Sequence, residues 1–141
     1  MSTQLFYHTE VDLLTQDRAQ AFVDHMVKIC GPHAYTFMTE NKDGTWKVQL
    51  QYDENHSNMS ASRIRDDLDE LLNRILAEDA KRKSARVQCE IHGEQQEYWV
   101  GPSAPLDRAR SFACLLRDSL VDLNDDEAKE VLSILIQPER K

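Results

Sequence analysis

The spacing of apolar residues in this chain switches repeatedly between two periods, and this switching constrains the fold more than any other feature. Trp46, Val48, Leu50 and Tyr52 alternate with polar residues, which is typical of a strand with one buried face. Over 61–83 the apolar residues recur instead at steps of three and four, as on one side of a helix. A chain that changes between these patterns is expected to build a sheet covered by helices.

The same patterns, together with turn and capping signals, predict nine elements. Strands are predicted over 5–11, 34–40, 45–52, 86–92 and 95–100, and helices over 16–30, 61–83, 106–120 and 125–136. The pair Asp43-Gly44 predicts a hairpin turn, because both residues tolerate a positive φ. The polar stretch 53–60 is expected to be a loop, with Ser60 as the N-cap of the second helix. Pro138 is expected to end the last helix.

The resulting order, β-α-β-β-α-β-β-α-α, predicts a two-layer α+β fold. An antiparallel sheet of about five strands would carry helices on one face. The first six elements match the order of a ferredoxin-like, split β-α-β unit, followed by a helical pair. The length of 141 residues fits one domain over 1–141, with an α/β core in 1–100 and the C-terminal helical pair in 105–137.

Acidic residues are in excess and are spread along the chain. The 25 Asp and Glu residues against 17 Lys and Arg residues give a net charge of -8. Such a surface repels phosphate backbones, so direct nucleic-acid binding is not expected. The acidic residues are densest between positions 118 and 130, where Asp122, Asp125 and Asp126 leave open an acidic mimic of a nucleic acid.

Cysteine usage and hydropathy predict a cytoplasmic protein. No basic, apolar leader stands at the start of the sequence, and no apolar run approaches the length of a membrane span. Three cysteines, an odd number, favour reduced thiols in the cytosol.

The chain lacks the common catalytic and cofactor-binding motifs. Its four glycines are isolated from one another, so no glycine-rich loop can cradle a phosphate. No nucleophile elbow or paired-histidine metalloprotease motif is present. These absences favour a non-enzymatic protein without a cofactor, and no catalytic residue is assigned.

Two Cys-x-x-His pairs could together bind zinc. Cys30 and His33 are three residues apart, as are Cys89 and His92. Two cysteines and two histidines form a common tetrahedral zinc site. Residues three apart in a strand point to opposite faces, however, so the second pair converges only if the strand bulges or turns. The alternative is that both cysteines pack in the core and both histidines are solvated.

Apolar and aromatic positions suggest an interaction surface. Trp99 is expected on the outer face of the sheet, and aromatic side chains commonly anchor protein interfaces. The last predicted helix carries more apolar residues than one packing face needs, among them Val131 and Leu135. Beside them lie the acidic residues Asp122, Asp125 and Asp126.

The leading functional hypothesis is therefore a cytoplasmic binding protein that acts through protein–protein contacts, as a regulator, inhibitor, adaptor or chaperone. A homodimer is one form that these contacts could take. The alternatives are a small-molecule- or zinc-binding domain that uses the Cys/His residues, with or without catalysis, and the acidic nucleic-acid mimic.

Overall fold

A computed structural model of the protein describes residues 2–136, and its elements follow the predicted order. The strands are β1 (Ser2–Leu13), β2 (Tyr35–Glu40), β3 (Trp46–Ser57), β4 (Ala85–Ile91) and β5 (Glu94–Val100). The helices are α1 (Gln16–Cys30), α2 (Asn58–Glu78), α3 (Ala104–Leu120) and α4 (Asp125–Leu135). The α+β class and the order β-α-β-β-α-β-β-α-α are confirmed.

The five strands form one antiparallel sheet in the order β2-β3-β1-β4-β5. α1 connects β1 to β2, and β3 lies between these two strands in the sheet. α2 connects β3 to β4, and β1 lies between them. Two split β-α-β units therefore interlock, as the ferredoxin-like arrangement requires. β5 extends this core by a hairpin with β4.

One face of the sheet is apolar and is covered by α1 and α2. Every second residue of β1, from Thr3 to Leu13, is buried, and β3 and β4 alternate in the same way. Phe22 and Met26 of α1 pack on this face, as does Leu72 of α2. The largest fully buried side chains are Tyr7, Tyr52, Phe22, Leu5, Leu13, Met26, Leu50, Leu68, Leu72, Leu76, Ile91 and Val48. Burial of this apolar surface is the main stabilising contribution to the fold.

The predicted loop over 53–60 is wrong, because β3 continues to Ser57. Its backbone stays in register with β1 as far as the pair Ser2 and Ser57. The hydrogen bonds of this ladder outweigh the polar composition of the segment. The N-cap of α2 is consequently Ser57, whose Oγ accepts a hydrogen bond from the backbone N–H of Ser60 at 3.2 Å.

The second helix is also shorter than predicted and ends at Glu78. Beyond it the chain is tied to β1, since the backbone N–H of Lys81 donates to the carbonyl of Asp12 at 3.1 Å. Lys83 reaches back from outside the helix, and its Nζ donates to the carbonyls of Ala77 and Ala80 at 3.2 and 2.9 Å. The ammonium group of Lys83 thus donates hydrogen bonds to carbonyls at the end of α2 and just beyond it, although Lys83 itself lies outside the helix.

The chain divides into two compact units between Asp107 and Arg108. The first contains the sheet, α1, α2 and the hydrophobic core. The second contains most of α3, the turn and α4, which begins with a capping box of Asn124 and Glu127. The single domain over 1–141 stays a prediction, and Pro138 lies outside the described residues.

Candidate functional site

The first pair of predicted zinc ligands lies at the end of α1. Cys30 is buried, and burial raises the pKa of its thiol to about 12. His33 is exposed, with Nδ1 3.4 Å from Oε1 of Glu54. A thiol with so high a pKa is protonated at neutral pH and is a poor metal ligand or nucleophile.

The second pair lies on and just after β4. Cys89 points into the core, where burial raises the pKa of its thiol to about 11. His92 follows the strand with a φ of 55°, and its Nε2 lies 3.1 Å from Oγ of Ser62. Within residues 2–136, no three side chains of His, Cys, Asp or Glu are placed to hold a metal ion. The zinc site stays a prediction, without support from this geometry.

A partly buried polar cluster around Asp69 was not predicted from the sequence. Asp69 of α2 accepts a hydrogen bond from the hydroxyl of Tyr7 of β1 at 2.6 Å. Tyr98 of β5 donates to the same carboxylate, at 3.0 Å to Oδ1 and 3.1 Å to Oδ2. The cluster therefore ties the second helix to a central strand and to an edge strand.

The electrostatics of this cluster are dominated by burial. Loss of water raises the pKa of the Asp69 carboxyl, although the two phenol donors and the charge of Arg65 act in the opposite direction. The pKa values of Tyr7 and Tyr98 are also raised, first by burial and then by the charge of Asp69. At neutral pH both phenols are therefore protonated donors. Both hydroxyls already donate their hydrogen bonds to Asp69 within the fold. The cluster is therefore better suited to positioning α2 against β1 and β5 than to proton transfer.

A signal for this cluster exists in the sequence. Tyr7 and Tyr98 occupy the inward-facing positions of their alternating strands, and a buried tyrosine hydroxyl needs a partner. Asp69 stands next to Leu68 in the apolar stripe of α2. An acidic residue at the border of a helix stripe is the acceptor that two inward-facing tyrosines require.

The outer face of the sheet is polar, with aromatic residues on its edge strands. Trp99 is in register with Arg86 and is half-buried. On the opposite edge Tyr35 and Phe37 of β2 are exposed and in register with Gln51 and Gln49. Their exposure was not predicted from the sequence. Several polar side chains of this face bond to one another: Lys47 to Glu10 at 3.1 Å, Arg86 to Glu97 at 2.7 Å and Gln49 to Glu10 at 3.0 Å. This mutual pairing is typical of a solvated sheet face.

The second unit has a different character, because its apolar residues are exposed. Phe112 and Leu115 of α3 are 65% and 63% exposed, and Ile134 and Leu135 of α4 are 63% and 61% exposed. We call the following set the C-terminal apolar surface: Phe112, Leu115, Val121, Leu132, Ile134, Leu135 and Ile136. No described residue of α4 is buried, so this helix lacks the packed face that normally stabilises an amphipathic helix.

The remaining predicted interface residues lie beside this surface. Val131 is half-buried, whereas Asp122, Asp125 and Asp126 are exposed around the start of α4. Asp125 and Asp126 belong to the first turn of the helix, where carboxylates interact favourably with the helix dipole. Part of the acidic density predicted here thus has a local, stabilising role.

Comparison with known proteins finds no matching family model, no matching curated protein and no matching solved structure. In the described residues 2–136, no helix combines the length and apolar character required to cross a membrane.

Proposed function

We propose that the protein is a binding protein that acts through protein–protein contacts of its C-terminal apolar surface. The observation that carries the proposal is the exposure of several large apolar side chains on α3 and α4. Among them Phe112 and Leu115, and likewise Leu132 and Leu135, are three residues apart and so lie on one side of their helix. Soluble monomers rarely expose contiguous apolar patches of more than a few hundred Å² unless the patch is a binding site. A partner that covers this surface would recover the free energy of apolar burial.

The position of the surface supports the same function. The sheet and its two covering helices already bury a complete core between Leu5 and Val100. The apolar residues of the second unit are therefore not needed to build that core. A cytoplasmic location is part of the proposal, supported by the odd number of cysteines.

The test is quantitative affinity capture from the cells that produce the protein. Leu132→Glu/Leu135→Glu places two carboxylates in the C-terminal apolar surface. Met59→Glu is the matched control, since Met59 is 74% exposed but lies on α2. We expect the wild type and the control to retain the same bound protein, including a second copy with a different tag, and the double variant to lose it.

Circular dichroism of each variant checks that the helices remain folded. Equal retention by all three proteins, or no specific retention by any of them, would contradict the proposed function.

A further inference from the structure

The two C-terminal helices carry opposite charge. From Arg108 onwards α3 has three basic residues and one acidic residue, a balance of +2. The turn and α4, from Val121 to Leu135, have five acidic residues and one basic residue, a balance of -4. The acidic set is Asp122, Asp125, Asp126, Glu127 and Glu130, and the basic residue is Lys129.

Each helix also has an apolar stripe of its own. On α3 the stripe contains Ala109, Phe112 and Leu116, and on α4 it contains Ala128, Leu132 and Leu135. The described parts of α3 and α4 do not pack extensively against each other. Half-buried side chains such as Leu120 and Leu123 lie close to the turn, whereas Phe112 and Leu135, towards the far ends of the pair, are exposed. Both stripes are thus left open along most of their length.

We propose that the partner covering the C-terminal apolar surface is a second copy of this chain, with α3 of each copy packed on α4 of the other. This inference rests on the proposed function and names its partner. A two-fold axis would generate the contact twice and cover all four stripes. Four helices with facing apolar stripes form a stable bundle core.

Charge selects this pairing over its alternatives. α3 against α4 of the second copy brings the +2 part of α3, from Arg108 to Leu120, to the -4 segment. Pairing α3 with α3, or α4 with α4, juxtaposes like charges. The flanking positions agree with this: Arg110 and Arg117 are seven residues apart and border the same side of the α3 stripe, and Asp125 borders the stripe of α4. Exposed ion pairs of this kind weaken with salt, so dimerisation is expected to weaken as ionic strength rises.

The first measurement is sedimentation equilibrium of the full chain between about 1 and 100 µM, a range that brackets weak to moderate dimers. We expect the wild type and Met59→Glu to reach the dimer mass. Leu135→Glu is expected to raise the dimer dissociation constant by about 30-fold or more, because a carboxylate then replaces a large apolar side chain of the interface. A dimer of unchanged affinity in Leu135→Glu, with helicity retained, would overturn the inference.

The second measurement is a charge exchange. One variant, Arg110→Glu/Arg117→Glu, gives the part of α3 from Arg108 onwards a balance of -2. Another, Asp122→Lys/Asp125→Lys/Glu130→Lys, gives the turn and α4 a balance of +2. Each variant alone is expected to dimerise at least about tenfold more weakly than the wild type, and the chain with all five changes to recover most of the lost affinity. Failure of the combined chain to recover, with helicity intact, would overturn the α3–α4 pairing.

The two proposals can fail separately. A wild type that remains a monomer at the highest concentration overturns the second-copy inference, while the proposed function still stands if affinity capture depends on Leu132 and Leu135. If capture also fails to depend on them, both proposals are overturned.

Discussion

Asp69 positions three elements of the fold, but burial of its carboxylate costs hydration free energy. Placing a carboxylate between α2 and the sheet removes much of its hydration, and the raised pKa of Asp69 shows that this loss outweighs the help from its donors. The hydroxyls of Tyr7 and Tyr98 still depend on it, because both donate to the same carboxylate. Asp69 therefore contributes to the specificity of the fold, because its hydrogen bonds fix how α2 lies over β1 and β5.

We expect Asp69→Asn and Asp69→Leu to differ strongly in their free energy of unfolding. Asparagine keeps an acceptor oxygen for the tyrosine hydroxyls and should change stability by less than about 1.5 kcal/mol at pH 7, about the net contribution of one hydrogen bond. Leucine leaves both phenols without their acceptor and should cost about 2–4 kcal/mol. Urea unfolding followed by circular dichroism measures both values, with the exposed-site change Tyr35→Phe as a control.

The same pair of proteins tests the pH dependence. A carboxyl group whose pKa is higher in the folded state than in the unfolded state contributes stability that is present below the unfolded pKa and is lost as the pH rises. Relative to Asp69→Asn, the wild type should therefore gain stability as the pH falls from 7 towards 4. A difference between the two proteins that stays constant over this range would show that the Asp69 pKa is not raised.

At the scale of elements, the connection from β5 to α3 is the most constrained turn of the first unit. Gly101 has a φ of +111°, and a Cβ at this position would lie 2.4 Å from the backbone oxygen of Lys83 and 2.9 Å from a methyl of Leu76. The backbone N–H of Gly101 donates to Oδ1 of Asn73 at 2.8 Å, and that of Ser103 donates to the carbonyl of Lys83 at 3.0 Å. The turn therefore needs both the conformation and the small volume of glycine.

Gly101→Ala is expected to destabilise the protein by about 3–5 kcal/mol, the sum of an unfavourable φ and a backbone clash. Gly93→Ala is the matched control, because Gly93 also has a positive φ, +76°, but faces open space. We expect it to cost about 1–2 kcal/mol, from the conformation alone. Thermal and urea unfolding of both variants gives the comparison, and equal losses would show that the clash at position 101 is relieved without cost.

For the whole molecule, the division at Asp107 and Arg108 separates a buried core from an exposed apolar surface. The net charge of -8 divides unevenly in the same way, since residues 1–107 have 11 basic and 18 acidic residues, and residues 108–141 have six and seven. Self-repulsion between acidic residues thus acts mainly on the first unit and opposes its association. The second unit is nearly neutral, which favours apolar association.

A chain that ends at Asp107 is expected to fold, because all the residues of the core cluster lie before this point. The side chain of Ser84 would keep its hydrogen bond to the carboxylate of Asp107. We expect its cooperative urea transition to lie within about 2 kcal/mol of that of the full chain, the scale of an ordinary single substitution. Sedimentation should show a monomer. A non-cooperative transition, or a dimer as tight as that of the full chain, would contradict this division of roles.

Most of the secondary structure was predictable from periodicity, because the spacing of apolar residues records which side of each element is buried. The alternation in β1, β3 and β4 and the stripe of α2 indicated the α+β class and the inward position of Tyr7. The Asn124 cap of α4 was equally visible, since a cap depends on residues only three apart.

Features that depend on contacts between distant parts of the chain could not be read from local patterns. Residues 53–57 are polar in sequence, yet they form a strand because β1 supplies hydrogen-bond partners some fifty residues away in the chain. Asp69 meets Tyr7 and Tyr98 across three elements, and the predicted zinc ligands were grouped by a spacing that carries no information about distance. The excess of apolar residues in α4 was visible in sequence. Their exposure is seen only in the structure, where the sheet, α1 and α2 form the core without them.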